Sequence, residues 1–575
     1  MNIKKIALAI MLGLTVPALS WAGKGPEWLK KAVFYQIYPS TYMDSNGDGM
    51  GDLNGITSRL DYIKSIGVNV IWLNPIYVSG WTDGGYDIID YYKVDPRFGT
   101  NTDLVNLVNE AHKRGFKVVL DLVAGHTSNR CPWFLQSAEA DANQHYSNYY
   151  VWTNTISQQD KDEIVKRHQE AHPEASFTGR YVEANAPRAK YYLKNFFESQ
   201  PALNYGFYNI DPNSPWEEPM DAAGPMRTRE ELKNIMAFWI SKGADGFRVD
   251  MAHSLVKNDP QKIGVTKLWK EMRDWYDTNY PEHVLIAEWS NPAIALPAGF
   301  SIDFFIHFGI KGYPSLFFAK NTPHHQDDYD QCYFNLDGKG QLKQFMDNYI
   351  DAYNKTKDIG YISLPTSNHD FQRPNVGTRN TLQQLEVAMT FFLTQPGCPF
   401  IYYGDEIAMK YIPNLPNKEG SMDRSGTRTP MQWSSGATAG FSTCTPDKLY
   451  LPVDTENGKI TVESEEKDPK SMLNFVRDML KLRLATNALG NEGEWKMLSD
   501  VNKPYPLVYQ RTDGNETYVV AINPSGKKVQ AAIDSENAGK NVKVIRSVGK
   551  GTYRSGSKSD QISLDAVSAV IFKVK

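Results

Sequence analysis

Past its first two dozen residues, no stretch of the sequence is apolar for the roughly twenty residues a helical bilayer crossing needs, which excludes a bundle of transmembrane helices. Cysteine is scarce, four residues in 575. Cys131, Cys332, Cys398 and Cys444 show no metal-ligand spacing, which argues against a zinc module. Four thiols allow three pairings and fix none; Cys398 opens an apolar run and reads as buried and free. Charge of one sign is also lacking. The net charge is −4, and no part of the chain would attract nucleic acid or an anionic membrane. Tandem repeats and low-complexity segments are absent.

What is present begins with a leader pattern. Lys4 and Lys5 precede an apolar run from Ile6 to Leu19, and Ser20-Trp21-Ala22 ends it with small residues at the positions a signal peptidase reads. The run is too short to anchor in a membrane. It predicts a signal peptide over 1–22, cleavage after Ala22, export to the periplasm or the extracellular space, and no membrane insertion afterwards. Export would place the thiols where disulfides can form. Aromatic residues make up 12% of the chain, which suits a large core and equally the stacking of pyranose faces on rings.

Eight short apolar runs recur: Val33–Tyr38, Val68–Leu73, Lys117–Val123, Gly246–Asp250, Val284–Glu288, Ile302–Ile306, Tyr361–Leu364 and Pro399–Tyr403. Such runs suit parallel strands buried on both faces. Helical patterns lie between them, at Asp103–His112 and Arg229–Ile240 for example. The economical fold is α/β, a (β/α)8 barrel. The alternative, an open doubly wound sheet, lacks the Gly-rich turn after its first strand. Roughly ninety residues after strand three exceed any ordinary loop and predict an inserted subdomain. Asp468 and Pro469 read as the N-cap and first position of the last barrel helix. Short strands and turns, such as Asp513-Gly514 between Leu507–Gln510 and Tyr518–Ile522, then predict a C-terminal antiparallel β-sandwich. The expected layout is a barrel over 23–126 and 216–489, an insert over 127–215 and a sandwich over 490–575.

A barrel gathers its active site at the carboxyl ends of its strands. Asp121 and His126 lie on or just past strand three, Arg248 and Asp250 on strand four, Glu288 at the end of strand five, and Asn368-His369-Asp370 past strand seven. So many ionisable groups in one place need a reason. Glycoside hydrolysis with retention supplies one, since it uses two carboxyls about 5–5.5 Å apart. Neighbouring strands lie ~4.8 Å apart, so Asp250 and Glu288 on neighbouring strands can meet that spacing. Close like charges raise one pKa, as a proton donor requires. Arg248, two residues before Asp250 on the same strand face, is expected to keep Asp250 ionised.

The segments Asp121-Leu-Val-Ala-Gly-His126, Gly246-Phe-Arg-Val-Asp250, Ala287-Glu288-Trp289 and Ser367-Asn-His-Asp370 resemble the four catalytic signatures of the alpha-amylase family, in the family's order. Ile71–Ile76, Gly85-Tyr-Asp87, Val94–Gly99 and Phe400–Gly404 resemble its supporting stretches, so that the likeness spans nearly the whole chain past the leader. The resemblance implies Asp250 as nucleophile, Glu288 as acid/base and Asp370 as the group gripping sugar hydroxyls, with Tyr86, His126, Arg248 and His369 around the same sugar and Asp121 in support. It also implies that Asp87 pairs with Arg428, which opens Arg428-Thr-Pro-Met-Gln-Trp433, to close one end of the cleft around a non-reducing glucose. This feature is similar to the α-glucosidase, oligo-1,6-glucosidase and trehalose synthase branches. Five positions depart from the pattern: Ala202 where an acidic residue is usual, Met251 after the nucleophile, His253-Ser254 in place of a Lys-His pair, and Gly125 where typical α-amylases carry a calcium-ligating Asn.

A second metal loop is legible in Asp44-Ser-Asn46-Gly-Asp48-Gly-Met50-Gly-Asp52, whose alternating oxygen donors suit one structural Ca2+. It resembles the calcium loop of oligo-1,6-glucosidase-like relatives; a metal-free turn rich in Asx residues is the alternative. The expected activity is exo-acting α-glucosidase action on α-linked glucose oligosaccharides or polysaccharides. The alternatives are an endo-acting α-amylase or neopullulanase-like enzyme, a trehalose synthase or glucosyl transferase, and, in another class, a non-catalytic glycan-binding homologue. Linkage preference and oligomeric state are not written in the sequence.

Overall fold

The computed structural model describes residues 24–319, 332–454, 459–534, 537 and 540–575. The leader expected over 1–22 lies outside them. Eight strands form one parallel sheet: β1 (Phe34–Ile37), β2 (Val70–Leu73), β3 (Lys117–Leu122), β4 (Gly246–Val249), β5 (Val284–Ala287), β6 (Ile302–Phe304), β7 (Tyr361–Ser363) and β8 (Phe400–Tyr402). Their order is β7-β6-β5-β4-β3-β2-β1-β8. Each strand falls inside one of the apolar runs read from the sequence. Apart from Lys117, every residue in them is buried, as a sheet closed on itself and wrapped by helices demands. Past its last ladder bond the sheet is joined across the remaining gap. The Thr366 N–H, just beyond β7, donates to the Phe400 carbonyl on β8 at 3.0 Å.

The helices pack their apolar stripes on this sheet. Helix α1 (Asn101–Lys113) starts with a capping box between Thr100 and Asp103 and buries Leu104, Leu107, Val108 and Ala111. Between β3 and the helix before β4 the chain leaves the barrel. It forms α2 (Gln158–His168) and a three-stranded sheet of Trp152–Thr153, Tyr191–Leu193 and Tyr181–Glu183. This unit has its own apolar cluster, including Val151, Ile164, Tyr181, Leu193 and Phe207. A bridge between His126 and Ala202 ties it to the end of β3. Helix α3 (Ala223–Ser241) returns to the barrel and buries Leu232, Ile235, Met236 and Trp239. No helix among the described residues is long and apolar enough to cross a membrane.

One helix start differs from the sequence reading. The last barrel helix begins at Met472, and its N-cap is Ser471, whose hydroxyl accepts the Asn474 N–H at 3.3 Å. Asp468 instead closes a turn by accepting the Lys470 N–H at 2.8 Å. Asp, Pro and Ser all favour helix starts, and the tertiary packing selects the last of them. Past this helix, a five-stranded and a three-stranded antiparallel sheet face each other. Val508, Val519, Ile562 and Phe572 are among the residues between them. Asp513 accepts the N–H groups of Asn515 and Glu516 and turns the predicted hairpin.

Two buried arginines lock this C-terminal unit to the barrel. Helix α4 (Leu382–Thr394) ends with unsatisfied carbonyls, as every helix does. Arg483, on helix α5 (Met472–Ala485), donates to the carbonyls of Leu393, Gln395 and Gly397 at 2.7–2.9 Å and to Asn491 Oδ1 at 2.8 Å. Arg511, from the C-terminal sheet, donates to the carbonyls of Thr394, Gly490 and Gly493. Both favour a helix C-terminus by charge as well as by hydrogen bonding. Replacing Arg483 with Met should strip four buried acceptors, cost about 3 kcal/mol, and lower the thermal unfolding midpoint by several degrees. Lys481→Met, an exposed site on the same helix, should leave the midpoint in place. Equal midpoints for the two variants would contradict the assignment.

Candidate active site

Strand register brings the acidic residues together. Val249 on β4 pairs with Ala287 on β5, so Asp250 and Glu288 are the next residues on two adjacent strands. Both are held by backbone hydrogen bonds to the strand before: the Asp250 N–H donates to the Leu122 carbonyl and the Glu288 N–H to the Val249 carbonyl, each at 3.0 Å. Asp121 on β3 is in register with Arg248 on β4. All four side chains therefore meet at the carboxyl end of the barrel. There Asp250 and Glu288 border a cavity of about 490 Å3, whose lining also includes Tyr86, His126, His369 and Asp370, while Asp121 and Arg248 lie behind them.

The Arg248 guanidinium is the hub. Its Nη1 lies 2.8 Å from Asp121 Oδ1 and 3.0 Å from Asp250 Oδ1, and its Nη2 lies 2.7 Å from Glu288 Oε1. One fork thus spans the two carboxyls that must face each other. Glu288 is held a second time, by the Met251 N–H at 2.9 Å. Asp121 also accepts from Trp72 Nε1 at 3.2 Å and from the Tyr86 hydroxyl at 3.0 Å. With both of its oxygens spent on Arg248, Trp72 and Tyr86, Asp121 is a support.

Three buried carboxyls share one cation, and their proton affinities rise accordingly. Burial pushes Glu288 up to about 8, with Arg248 opposing and Asp250 reinforcing. Burial likewise pushes Asp250 up to about 7 and Asp121 to about 6, again against Arg248. The sequence reading had Arg248 keeping Asp250 ionised. In the fold, desolvation outweighs that attraction because the single charge is divided among three acids. The order is nonetheless the useful one, with Glu288 the more readily protonated of the facing pair.

Asp370 has the opposite environment. Its Oδ1 lies 3.0 Å from Arg424 Nη1 and 3.2 Å from Arg428 Nη2, and its Oδ2 lies 3.3 Å from His369 Nε2. Against the cost of burial, these charges hold its carboxyl well below the usual range. Asn368 Oδ1 aims it by accepting the N–H groups of Asp370 and Phe371. His369 stacks on Tyr86, rings 5.3 Å apart and nearly parallel, and its Nδ1 meets Gln36 Nε2 at 3.0 Å.

The closing ion pair is not the expected one. Asp87 is fully buried away from the cavity. It accepts hydrogen bonds from Ser79 and from the backbone and hydroxyl of Thr82. Arg428 does not reach it; its Nε donates to the His369 carbonyl at 2.7 Å and its fork steadies Asp370. Asp83 and Arg424 form the pair at the cavity wall, at 3.0 Å, and Gln200 Nε2 fixes the second Asp83 oxygen at 2.9 Å. The reason is local. Tyr86 turns into the cavity, so its neighbour Asp87 turns away, and the tight turn at Gly84 and Gly85, both at positive φ, swings Asp83 round instead. Asp83 and Arg424 each sit four residues before the positions singled out, Asp87 and Arg428, and that proximity was the available signal.

His126 is fixed as a neutral ring. Asn195 Nδ2 approaches its Nδ1 at 3.1 Å, so the Nε2–H donates to the Tyr86 carbonyl at 3.0 Å; burial pushes its pKa down to about 3. Asn195 is oriented in turn by the Lys257 ammonium, 2.7 Å from its Oδ1. This network explains Gly125, since a β-carbon there would lie 2.7 Å from Asn195 Nδ2. Asp303, which the sequence reading passed over, sits beneath the turn after Glu288. It accepts the N–H groups of Trp289, Ser290, Asn291 and Phe304 at 2.8–3.2 Å. The four cysteines are unpaired, Cys398 buried among them.

The candidate calcium loop is shaped by its own N–H groups. Asp44 accepts from Asn46, Gly47 and Gly49, Asn46 from Asp48, and Asp48 from Met50, while Asp52 accepts from Ser45 and Gly55. Among the described residues no group of three or more His, Cys, Asp or Glu side chains is arranged to hold a metal. The donor chemistry still suits a hard cation, because Asp44, Asn46, Asp48, Asp52 and the Met50 carbonyl offer only oxygen.

Comparison with known proteins agrees with the geometry. Residues 36–492 match the alpha amylase catalytic domain. The chain is 32% identical over 558 residues to an oligo-1,6-glucosidase of Heyndrickxia coagulans, covering 88% of this chain and 93% of that protein. It is also 32% identical over 525 residues to a trehalose synthase/amylase of Mycolicibacterium smegmatis, covering 84% and 80%. Among solved structures, an isomaltulose synthase mutant from Erwinia rhapontici NX5 in complex with D-glucose aligns with a TM-score of 0.77 and 25% identity, covering 96% of this chain and 99% of that one. With its barrel, its four signatures and these relatives, the chain belongs to the alpha-amylase family of glycoside hydrolases.

Proposed function

We propose that the protein removes single glucose units from the non-reducing ends of α-linked gluco-oligosaccharides with retention of configuration. The observation that carries this reading is the Arg248 fork, which holds Asp250 and Glu288 beside each other in a cavity walled at one side by Asp83 and Arg424. Asp250 attacks the anomeric carbon while Glu288 gives its proton to the leaving oxygen. The glycosyl–Asp250 ester is then opened by water, which loses its proton to Glu288. Asp370, held ionised, hydrogen-bonds sugar hydroxyls as charge develops on the ring, and Arg424 and Arg428 fix its position.

The oligo-1,6-glucosidase relative supports hydrolysis. The trehalose synthase/amylase relative, equally similar, supports transfer by the same glycosyl ester. Products separate the two readings: free glucose assigns hydrolysis, and a rearranged disaccharide assigns transfer. Export on a leader ending at Ala22 belongs to the same proposal and rests on the sequence alone; Gly23 as the first residue of the mature chain would support it, and a retained leader would oppose it. One calcium ion at Asp44, Asn46, Asp48, Met50 and Asp52, in a structural role, is part of the same proposal.

Three expectations follow from this site. Maltotriose should give glucose and maltose first, and Arg424→Ala, which strips Asp83 and Asp370 of a partner, should cut kcat/KM at least about 100-fold, the rate equivalent of about 3 kcal/mol. Wild-type kcat/KM in that variant would exclude the closed end. The pH profile of kcat/KM should be a narrow bell. Activity needs Asp250 ionised and Glu288 protonated, so it should rise through about pH 7 and fall through about pH 8, the two limbs belonging to the coupled pair. A plateau beyond pH 9 or an optimum near pH 4 would contradict the assignment. Chelation by EDTA should lower the thermal midpoint and added CaCl2 should restore it; a midpoint indifferent to both removes the calcium loop from the proposal.

A further inference from the structure

A second cavity, of about 640 Å3, opens from the first. The two share Phe177, Phe196 and Met251 along their common edge. Met251 orients the pair. It follows Asp250, and its N–H holds Glu288, the residue that protonates the leaving oxygen. The leaving part of a substrate therefore lies on the Met251 side, and the second cavity continues from there along α2. The other wall of the reaction site is closed by Asp83 and Arg424.

The lining of this second cavity indicates what it takes. Phe177 is 65% exposed at its edge, packed against Phe196 with ring centres 4.8 Å apart. The buried Lys194 staples both rings in place, since its Nζ donates to the Ser176 carbonyl at 2.7 Å and to the Phe196 carbonyl at 3.0 Å. Beyond the rings lie Gln159 and Glu163 on α2, joined by a hydrogen bond of 3.2 Å, and Arg180, neutralised by Asp160 at 3.0 Å. An exposed, immobilised aromatic beside paired, mixed-sign polar groups favours a neutral ligand with apolar faces and many hydroxyls, not an anion or a hydrocarbon. That ligand is carbohydrate.

Resting on the proposed hydrolase reading, we infer that this groove binds the third and following glucosyl units of the substrate on its leaving side. The substrate class is accordingly a neutral oligosaccharide of at least three units, and disaccharides are poor substrates. The test is kcat/KM for maltose through maltopentaose and for the isomaltose series, measured beside p-nitrophenyl α-glucoside. Wild type should gain about tenfold between two and four units in one series. Gln159→Trp, which fills the groove, should abolish that gain, and Glu163→Ala should reduce it severalfold. The readout is the ratio of long to short substrate within each variant, so partial misfolding does not mimic it. No gain with length in wild type, or a gain unaltered in both variants, would overturn the groove. Failure to cleave even the aryl glucoside and maltose would instead overturn the hydrolase reading on which it rests.

Discussion

A single buried guanidinium organises the reaction centre. Arg248 is almost completely enclosed, and it touches Asp121, Asp250 and Glu288 at once. Without it three carboxyls at the mouth of a dry barrel would repel one another, and each would either take a proton or turn away. With it, the facing pair keeps one geometry while remaining short of full charge compensation. Burial, which that single charge does not offset, is what pushes the Glu288 carboxyl up to about 8. The fixed carbonyl, hydroxyl and ring contacts of Tyr86, His126 and His369 then define the space beside the pair.

The rest of the molecule keeps this cluster from relaxing. Adjacent strands hold Asp250 and Glu288 in register, and Asp303 fastens the turn after Glu288 by four peptide N–H groups. On the far wall, Arg424 ties Asp370 to Asp83, so the carboxylate proposed to grip the sugar hydroxyls is braced by the same residue that walls that side of the cavity. The asymmetry of the cavity follows: charged and shut beyond Asp370, open past Met251 towards Phe177 and α2. A terminal sugar fits the shut side and a chain fits the open one.

Much of this was legible before any coordinates. Strands buried on both faces read as unbroken apolar runs, which is why all eight barrel strands were found in the sequence. The acidic residues stood out because they ended such runs. What was not legible depended on turns and on distance in the chain. Asp83 and Arg424 are 341 residues apart, and nothing in either segment announces that they meet. The turn at Gly84 and Gly85 decides which carboxylate faces the cavity; residue type does not distinguish Asp83 from Asp87, and the resemblance pointed to Asp87. The rise in the Asp250 pKa was hidden for another reason: the sequence shows Arg248 beside Asp250 but not the two further acids drawing on the same charge. Ser471 displaced Asp468 as a helix cap because tertiary packing chose among adjacent candidates of similar propensity.

The pairing of Asp250 and Glu288 on the Arg248 fork is best tested by the configuration of the first product. Proton NMR of wild-type enzyme acting on an α-linked oligosaccharide at neutral pH, read before mutarotation, should show the α-anomer of glucose appearing first. That outcome requires two displacements at the same carbon through an ester on Asp250. Initial release of the β-anomer would mean direct attack by water, and the pairing of these two carboxyls around Arg248 would not describe the reaction.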